Sequence, residues 1–242
     1  MFKASCIFIF LVYFSNSLNA DTNYSAHLYS LDKVNTQKMF DLKISEKISD
    51  DKINITAQFF QEDRLQLNES AQISKKTADI DNYEIQQLQT KESGSVKVEN
   101  NKILMSYTNP QGKTQTKSMD KPDLLVAPAN FKHWLYVHFE ELKQKQSLQI
   151  HFLVWDRLDT FKFKVSYLGV QNLKNKKAQH FKMNLSNPLL SAFVDPIQIW
   201  FSEDMTQILL YEGRVAVKQA QGLEFKNLDA KVEYFHDLKA VQ

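Results

Sequence analysis

Histidine is the residue type in this chain best suited to bind a metal ion or to transfer a proton, because its imidazole titrates near neutral pH. The chain contains six histidines. Two of them, His133 and His138, stand five residues apart on a predicted helix, so their side chains project about 140° apart and cannot chelate one metal ion as an i, i+4 pair does. The others are isolated in the sequence: His27, His151, His180 and His236. The sequence therefore predicts no metal site and no cofactor.

Nucleophilic catalysis lacks its usual sequence signals. The only cysteine is Cys6, which lies in a segment that we expect to be removed, and no serine stands in a G-x-S-x-G turn. Five glycines do not form a phosphate-binding loop. We name no catalytic residue and do not favour an enzyme. A hydrolase with a composite site, built from groups such as His138, His151 and Asp156, is the third of three function hypotheses.

The densest group of charges between apolar segments is Asp156, Arg157 and Asp159. A guanidinium presents a planar fork of donors that fits a carboxylate or a phosphate. Arg157 is therefore the candidate polar anchor for a ligand at the end of a predicted hairpin. The alternative, which we favour on the residues alone, is that Arg157 pairs with a neighbouring carboxylate and shapes the turn.

Aromatic residues make up 12% of the chain and form the candidate lining of an apolar ligand site. The candidates lie on a predicted helix and three predicted strands, and they are Phe131, Trp134, Phe139, Phe152, Phe163 and Trp200. The same side chains can instead fill the interior, which is the commoner outcome in proteins. A single helix rarely fills the concave side of a long curved sheet, so both outcomes stay open.

One long helix is predicted over residues 130–145. Its apolar residues recur at spacings of three and four and share one face, which is formed by Phe131, Trp134, Leu135, His138, Phe139 and Leu142. Asn130 is a suitable N-cap, and Lys143 and Lys145 suit a helix C-terminus. So wide an apolar face must be covered by another element, and the nearest candidate is a sheet.

Alternating apolar and polar residues dominate the rest of the chain and predict antiparallel strands. The alternation is clear at 40–59 and at 148–167, whereas a polar stretch from Asn68 to Asn82 interrupts it. The turn Asn109-Pro110-Gln111-Gly112 leads into a polar, edge-like strand, Lys113 to Met119. We predict an α+β fold, mostly antiparallel β, in which a strongly curved sheet or partly open barrel wraps around one long helix.

Residues 1–20 are predicted to be a secretory signal peptide. Lys3 precedes the apolar run Cys6 to Phe14, which is shorter than the roughly 20 residues that span a bilayer, and small polar residues follow up to Ala20. Cleavage after Ser17 is a rival to cleavage after Ala20. We expect residues 21–33 to form a flexible leader and residues 34–242 a single sheet domain with a central helix. A mature chain without cysteine fits the periplasm of a Gram-negative bacterium.

The charge balance argues against two classes of partner. Thirty basic and 28 acidic residues give a net charge of +2, and no run of like charges is long enough to suggest a nucleic acid or an anionic membrane. The sequence predicts no nucleic-acid partner and no transmembrane anchor, and it does not predict an oligomeric state.

Several short runs together resemble a family of exported bacterial proteins of unassigned function: Leu153-Val154, Arg157-Leu158-Asp159-Thr160, Leu185-Ser186-Asn187, Val194-Asp195-Pro196-Ile197 and Leu210-Tyr211-Glu212-Gly213. The likeness covers the chain from Phe59 to Phe235. Trp155 departs from the pattern, which has proline there, and the family offers no catalytic residues. In topology alone the chain is similar to periplasmic lipoprotein carriers and their outer-membrane receptors, in which a curved antiparallel sheet wraps helices and leaves an apolar hollow. That similarity implies a fold and not a function.

The first function hypothesis is an exported periplasmic binding or carrier module for an apolar ligand, such as a lipid or a lipoprotein segment. It would act without chemistry, by removing apolar surface from water. The second is an envelope scaffold or assembly factor that acts through an exposed sheet edge, with Lys113 to Met119 as the candidate strand.

Overall fold

The structure is a computed structural model that describes residues 21–31, 37–187 and 195–236. The predicted signal peptide at residues 1–20 lies outside these ranges, as do the segments 32–36, 188–194 and 237–242. Within the described residues, no helix combines the length and the apolar character that crossing a membrane requires.

Fifteen strands in the described part of the chain form one sheet. Their bounds are β1 Asp21–Ser30, β2 Lys38–Ile48, β3 Lys52–Gln61, β4 Arg64–Ser74, β5 Ile80–Gln87, β6 Glu92–Glu99, β7 Lys102–Thr108, β8 Thr114–Asp120, β9 Leu125–Val126, β10 Ser147–Val154, β11 Asp159–Leu173, β12 Lys176–Leu185, β13 Ile197–Ser202, β14 Ile208–Gln221 and β15 Glu224–His236. The order across the sheet is β8-β7-β6-β5-β4-β3-β2-β1-β15-β14-β13-β12-β11-β10-β9. The first and last strands therefore pair in the middle, and the two edges, β8 and β9, are consecutive in the chain.

The sheet is curved and unclosed, and its neighbours are antiparallel with one exception, so the predicted mostly antiparallel curved sheet is confirmed. The exception is the two-residue strand β9, which runs parallel to β10 and pairs Leu125 with His151 and Val126 with Phe152. The strands form because apolar residues alternate with polar ones, as in β2, where Phe40, Leu42 and Ile44 are buried on one face.

The predicted flexible leader is wrong for residues 21–30. These residues form β1, which pairs with β2 on one side and with β15 on the other. Tyr24, Ala26 and Leu28 are buried on its inward face. The sequence analysis missed this strand because the polar residues between these three gave the segment a mixed composition, although the period of two is present.

The predicted single long helix is also wrong. A 3-10 turn at Pro128–Asn130 leads into α1, Phe131–Val137, and α2, Phe139–Lys145, and the two short helices meet at His138. The backbone dihedrals of His138, φ −96° and ψ 12°, leave the helical region. Helical bonds continue across it, from His138 N–H to Trp134 O at 3.0 Å and from Leu142 N–H to His138 O at 2.9 Å. The break is a local distortion that leaves the apolar face continuous, so the spacing of apolar residues could not reveal it.

The buried face of the two helices is the predicted one, with Phe131, Trp134, Leu135 and Leu142 in the core. Asn130 stands at the N-cap of α1, but its side chain does not bond the helix. It accepts a hydrogen bond from Ala127 N–H at 2.7 Å and donates one to Ala78 O at 2.9 Å. Asn130 therefore ties the helix entry to the loop between β4 and β5.

Contacts between distant strands hold the curved sheet together. Gln87 and Gln89, at the end of β5, donate side-chain hydrogen bonds to the carbonyl oxygens of Ala216 and Lys218 on β14, at 2.8 Å and 3.0 Å. Trp155 packs directly on Gly94 of β6, where an added Cβ would lie 2.6 Å from the indole ring. The strands thus surround a central space into which α1 packs.

Candidate functional site

A cavity of about 420 Å³ lies between the sheet and α1. Its wall comes from strands that are distant in the sheet, with Leu42 from β2, Phe163 from β11 and Ile199 from β13, and from Leu135 of α1. Most of the lining side chains are apolar. The volume falls in the range of about 300–1,000 Å³ that is typical of small-molecule sites.

Three of the six candidate aromatic residues line this cavity, namely Phe131, Phe152 and Phe163. They form a continuous aromatic wall: the ring centroids of Phe131 and Phe152 are 6.2 Å apart, and those of Phe152 and Phe163 are 5.6 Å apart. Both pairs meet edge to face, the arrangement that aromatic quadrupoles favour. Three of the candidate aromatic residues therefore lie together at this wall.

The other three candidate aromatic residues do not line the cavity. Trp134 is buried behind the wall and lies 4.7 Å from the His138 ring. Phe139 packs edge-on against Tyr167 and Phe181. Trp200 stacks on His180 with ring centroids 4.4 Å apart and belongs to a separate cluster with Ala178 and Leu210. These three side chains therefore lie outside the cavity lining.

Arg157 does line the cavity, at the end of a 3-10 turn formed by Trp155–Arg157. Its side chain forms no ion pair with any of the described residues, and the nearby Asp159 pairs with Lys117 of β8 at 3.2 Å instead. The favoured alternative, in which Arg157 pairs with a neighbouring carboxylate, is therefore not what the structure has. The guanidinium is exposed at the boundary of the cavity.

The groups named for a composite hydrolase site make separate contacts. His138 Nδ1 lies 3.1 Å from Glu141 Oε2, and His151 Nδ1 lies 3.5 Å from Thr160 Oγ1. Asp156 lines the cavity. Neither a hydrogen bond nor an ion pair joins the three within the described part of the chain, and no cluster of three or more potential metal ligands occurs there.

The sequence analysis missed Glu46, a buried carboxyl group in the cavity wall. Tyr24 O–H and Lys132 Nζ each donate to Glu46 Oε1 at 2.7 Å, and His133 Nε2 lies 3.3 Å from the same oxygen. Burial acts to raise the pKa of Glu46, but the neighbouring His133 and Lys132 lower it to about 2. Glu46 is therefore an ionised, paired group that fixes α1 to β2.

Glu69 is a second buried carboxyl group that the sequence analysis missed, and it also lines the cavity. Tyr83 O–H donates a hydrogen bond to its Oε1 at 2.8 Å. Burial raises the pKa of Glu69 to about 7, although the hydrogen bond from Tyr83 acts to lower it. Near neutral pH this group therefore exchanges readily between its neutral and charged forms.

The basic groups of β14 at the cavity are held by other carboxylates. Arg214 binds Asp229 through two hydrogen bonds, at 2.7 Å and 3.0 Å, and Lys218 pairs with the buried Glu92. The hydroxyl of Tyr211 donates to the carbonyl oxygen of Arg214. The described lining residues can therefore bind a molecule with a large apolar part and few polar groups.

One signal in the sequence could have found both carboxyl groups. Glu46 lies two residues beyond Ile44, and Glu69 lies two residues beyond Leu67, so each glutamate occupies the apolar phase of its strand. A charged residue in that phase faces the interior, where it needs a partner or a function.

Comparisons with known proteins give distant likenesses. No protein-family model matches the sequence, and no curated protein matches it. A beta-barrel-like protein of the domain of unknown function DUF1849 from Brucella abortus has 8% identity and a TM-score of 0.43, over 90% of this chain and 96% of that one. A DUF1329 family protein from Desulfovibrio piger has 9% identity and a TM-score of 0.27, over 93% and 89%. A putative outer membrane lipoprotein-sorting protein domain from Vibrio parahaemolyticus has 6% identity and a TM-score of 0.27, over 92% and 88%. The family resemblance seen in the sequence stays a prediction.

Proposed function

We propose that this protein is an exported periplasmic binding or carrier module that holds an apolar ligand, a lipid or a lipoprotein segment, in the cavity between the sheet and α1. The observation that carries the proposal is the cavity itself, about 420 Å³ of mostly apolar space inside a sheet domain. Each methylene group that a ligand buries there contributes roughly 0.8 kcal/mol, so an alkyl chain needs no chemical step to be retained.

The wall formed by Phe131, Phe152 and Phe163 would contact the apolar part of the ligand. Rigid aromatic rings give a large contact area and lose little conformational entropy when a ligand binds. Arg157 would act as the polar anchor, because its guanidinium is exposed at the cavity boundary and forms no ion pair with the described residues. A phosphate or carboxylate of the ligand can accept two parallel hydrogen bonds from it.

Native mass spectrometry of the protein extracted from periplasm tests this proposal. We expect the wild-type protein to carry a lipid mass, and we expect a lipid panel to raise the Tm of the emptied protein. Val215→Trp places a large ring in the cavity wall and should abolish both effects. Val170→Trp is the matched control, because Val170 is also a strand valine but is 51% exposed and does not line the cavity. A clean protein mass with no thermal shift across the panel would contradict the proposal.

One observation supports the second hypothesis, an envelope scaffold that binds a partner through a sheet edge. Strand β8 is an edge of the described sheet, pairs there with β7, and exposes nearly all of its side chains. An edge strand offers backbone donors and acceptors to a partner strand. If this edge binds a partner in the cell envelope, crosslinking in cells should trap that partner. Thr116→Pro should abolish the crosslink, because the register with β7 directs the backbone N–H of Thr116 to the open edge. Thr116→Ala, which keeps the donor, should leave the crosslink intact.

A further inference from the structure

Three glutamate side chains are buried in the described part of the chain: Glu46, Glu69 and Glu92. Glu46 pairs with Lys132, and Glu92 pairs with Lys218. Glu69 pairs with no lysine, arginine or histidine of the described residues. A buried carboxylate without a cation is strongly unfavourable, so proteins normally supply one. Among the buried glutamates of the described residues, Glu69 is the exception, and it lies in the cavity wall.

The position of Glu69 leaves one of its oxygens available to a ligand. Glu69 points inward from β4, between the buried residues Leu67 and Ala71, and is only 4% exposed. Its Oε1 accepts the hydrogen bond from Tyr83. No described residue donates a hydrogen bond to Oε2. A carboxylate has about four acceptor sites, so most of the hydrogen-bonding capacity of Glu69 is unused by the protein.

Two further tyrosines of the cavity wall lie within electrostatic range of Glu69. Burial raises the pKa of Tyr234, and the charge of Glu69 adds to that effect. Burial also raises the pKa of Tyr211, with the charge of Glu69 as one of the smaller contributions. Glu69 thus shares the cavity wall with two tyrosines and carries a carboxyl oxygen to which no described residue donates.

We propose that the cavity takes an amphipathic molecule with an alkyl chain and a protonated amine, and that Glu69 receives this amine as its counter-ion. This inference rests on the proposed binding function and specifies the ligand's polar group. An ammonium group supplies the cation that none of the described residues provides to Glu69, and it can donate a hydrogen bond to Oε2. A ligand carboxylate at the same place would face repulsion from Glu69, and a hydroxyl group would form a hydrogen bond without the charge pairing.

Binding of three probes with one alkyl chain and different head groups tests the proposal. Dodecylammonium, dodecanol and dodecanoate are titrated, each below its micelle concentration, into the lipid-free protein at pH 7.5, and Kd is measured by calorimetry. We expect the wild-type protein to bind dodecylammonium at least about tenfold more tightly than dodecanol, as charge-assisted pairing in a dry site predicts. Dodecanoate should bind more weakly than dodecylammonium, because Glu69 repels its carboxylate and Arg157 can pair with it only at the exposed boundary of the cavity.

Glu69→Gln keeps the shape and a hydrogen-bonding group but removes the charge. It should weaken dodecylammonium binding by about tenfold and change dodecanol binding by less than about threefold. Glu84→Gln is the control, because Glu84 is an exposed glutamate on β5, and the same charge change there should leave all three affinities unaltered. Glu69→Asp, which keeps the charge, should retain the preference for the amine, and it serves if Glu69→Gln fails to fold.

The outcomes separate the two levels of the proposal. If none of the three probes binds, the carrier function itself is overturned. The probes could instead bind without a preference for the amine, or the preference could survive in Glu69→Gln. In either case the cavity binds apolar ligands but Glu69 does not bind the amine, so this inference is overturned and the carrier function is not.

Discussion

Glu46 and Glu69 are two buried glutamates of one cavity wall whose carboxyl groups have opposite pKa shifts. Both are buried, both line the same cavity, and both accept a hydrogen bond from a tyrosine hydroxyl at 2.7–2.8 Å. Yet the pKa of Glu46 is lowered to about 2 and that of Glu69 is raised to about 7. The difference comes from α1, which places Lys132 and His133 against Glu46 and no cation against Glu69. Burial alone does not decide the charge of a wall residue; the partner does.

The two carboxyl groups should affect stability in opposite pH ranges. The lowered pKa of Glu46 contributes stability that is present above pH 4.5 and is lost as the pH falls through about 2. The raised pKa of Glu69 contributes stability that is fully present below pH 4.5 and is lost as the pH rises through about 7. At about 1.4 kcal/mol per pKa unit, each effect amounts to about 3 kcal/mol.

Replacing the lysine that pairs with Glu46 should give the largest loss of stability, because Glu46, like Glu69, is then buried without a neighbouring lysine. Lys132→Met leaves a buried carboxylate without its closest cation, and such a change destabilises proteins by about 3–5 kcal/mol. We expect the loss in urea unfolding at pH 7. Lys143→Met, which breaks an exposed pair with Glu140 on α2, should change the free energy of unfolding by less than about 0.5 kcal/mol.

A second variant checks the cause of that loss. Lys132→Met combined with Glu46→Leu removes both charges and should recover more than half of the lost stability, because no buried charge is left without its partner. If Lys132→Met alone costs less than about 1 kcal/mol, the ion pair is not what fixes the charge of Glu46, and the comparison between the two glutamates loses its explanation.

Glu69→Gln should give the next largest effect, and its sign depends on pH. Glutamine does not titrate, so the variant should lack the stability loss that Glu69 causes between pH 4.5 and 7. The free energy of unfolding of the variant, minus that of the wild-type protein, should rise by about 3 kcal/mol from pH 4.5 to pH 8. Taking this difference cancels the contributions of the histidines. Parallel pH profiles for the two proteins would show that Glu69 titrates normally.

The sequence predicted the sheet better than it predicted the cavity wall. Period-two alternation is enforced wherever one face of a strand is buried against apolar side chains, so most strands were recognisable. In β4, the wall includes Glu69 on the inward face, and the polar stretch beginning at Asn68 therefore hid the strand. A cavity wall that carries polar groups weakens the very pattern from which strands are predicted.

The aromatic candidates show a related limit. Phe131, Phe152 and Phe163 line the cavity, whereas Trp200 lies in a separate cluster outside the lining. The alternation in β13 already separated Trp200 from Ile199 and Phe201, both of which line the cavity. Trp200 was proposed as a lining residue because it is aromatic, but its position in the alternation places it on the opposite face of β13 from the lining residues. Which buried side chains leave space, however, depends on packing between distant strands, and no local pattern encodes it.

Tyr83→Phe should give the smallest effect and sharpens the account of Glu69. Tyr83 is fully buried, and its hydroxyl is the only described donor to Glu69. Removing the hydroxyl leaves Oε1 without a partner, which should lower the free energy of unfolding by about 1 kcal/mol at pH 5, where Glu69 is mostly neutral. Because that hydrogen bond lowers the pKa of Glu69, the pKa should rise further in the variant, and the stability loss should end at a higher pH than in the wild-type protein.

Tyr107→Phe is the matched control for this change. Its hydroxyl donates to Glu92, which Lys218 also contacts, so the lost hydrogen bond leaves a carboxylate that still has a cation. The pH range of the stability loss should therefore stay where it is in the wild-type protein. If Tyr83→Phe also left that range unmoved, the tyrosine would not be setting the pKa of Glu69, and the cations beside Glu46 would alone account for the contrast between the two glutamates.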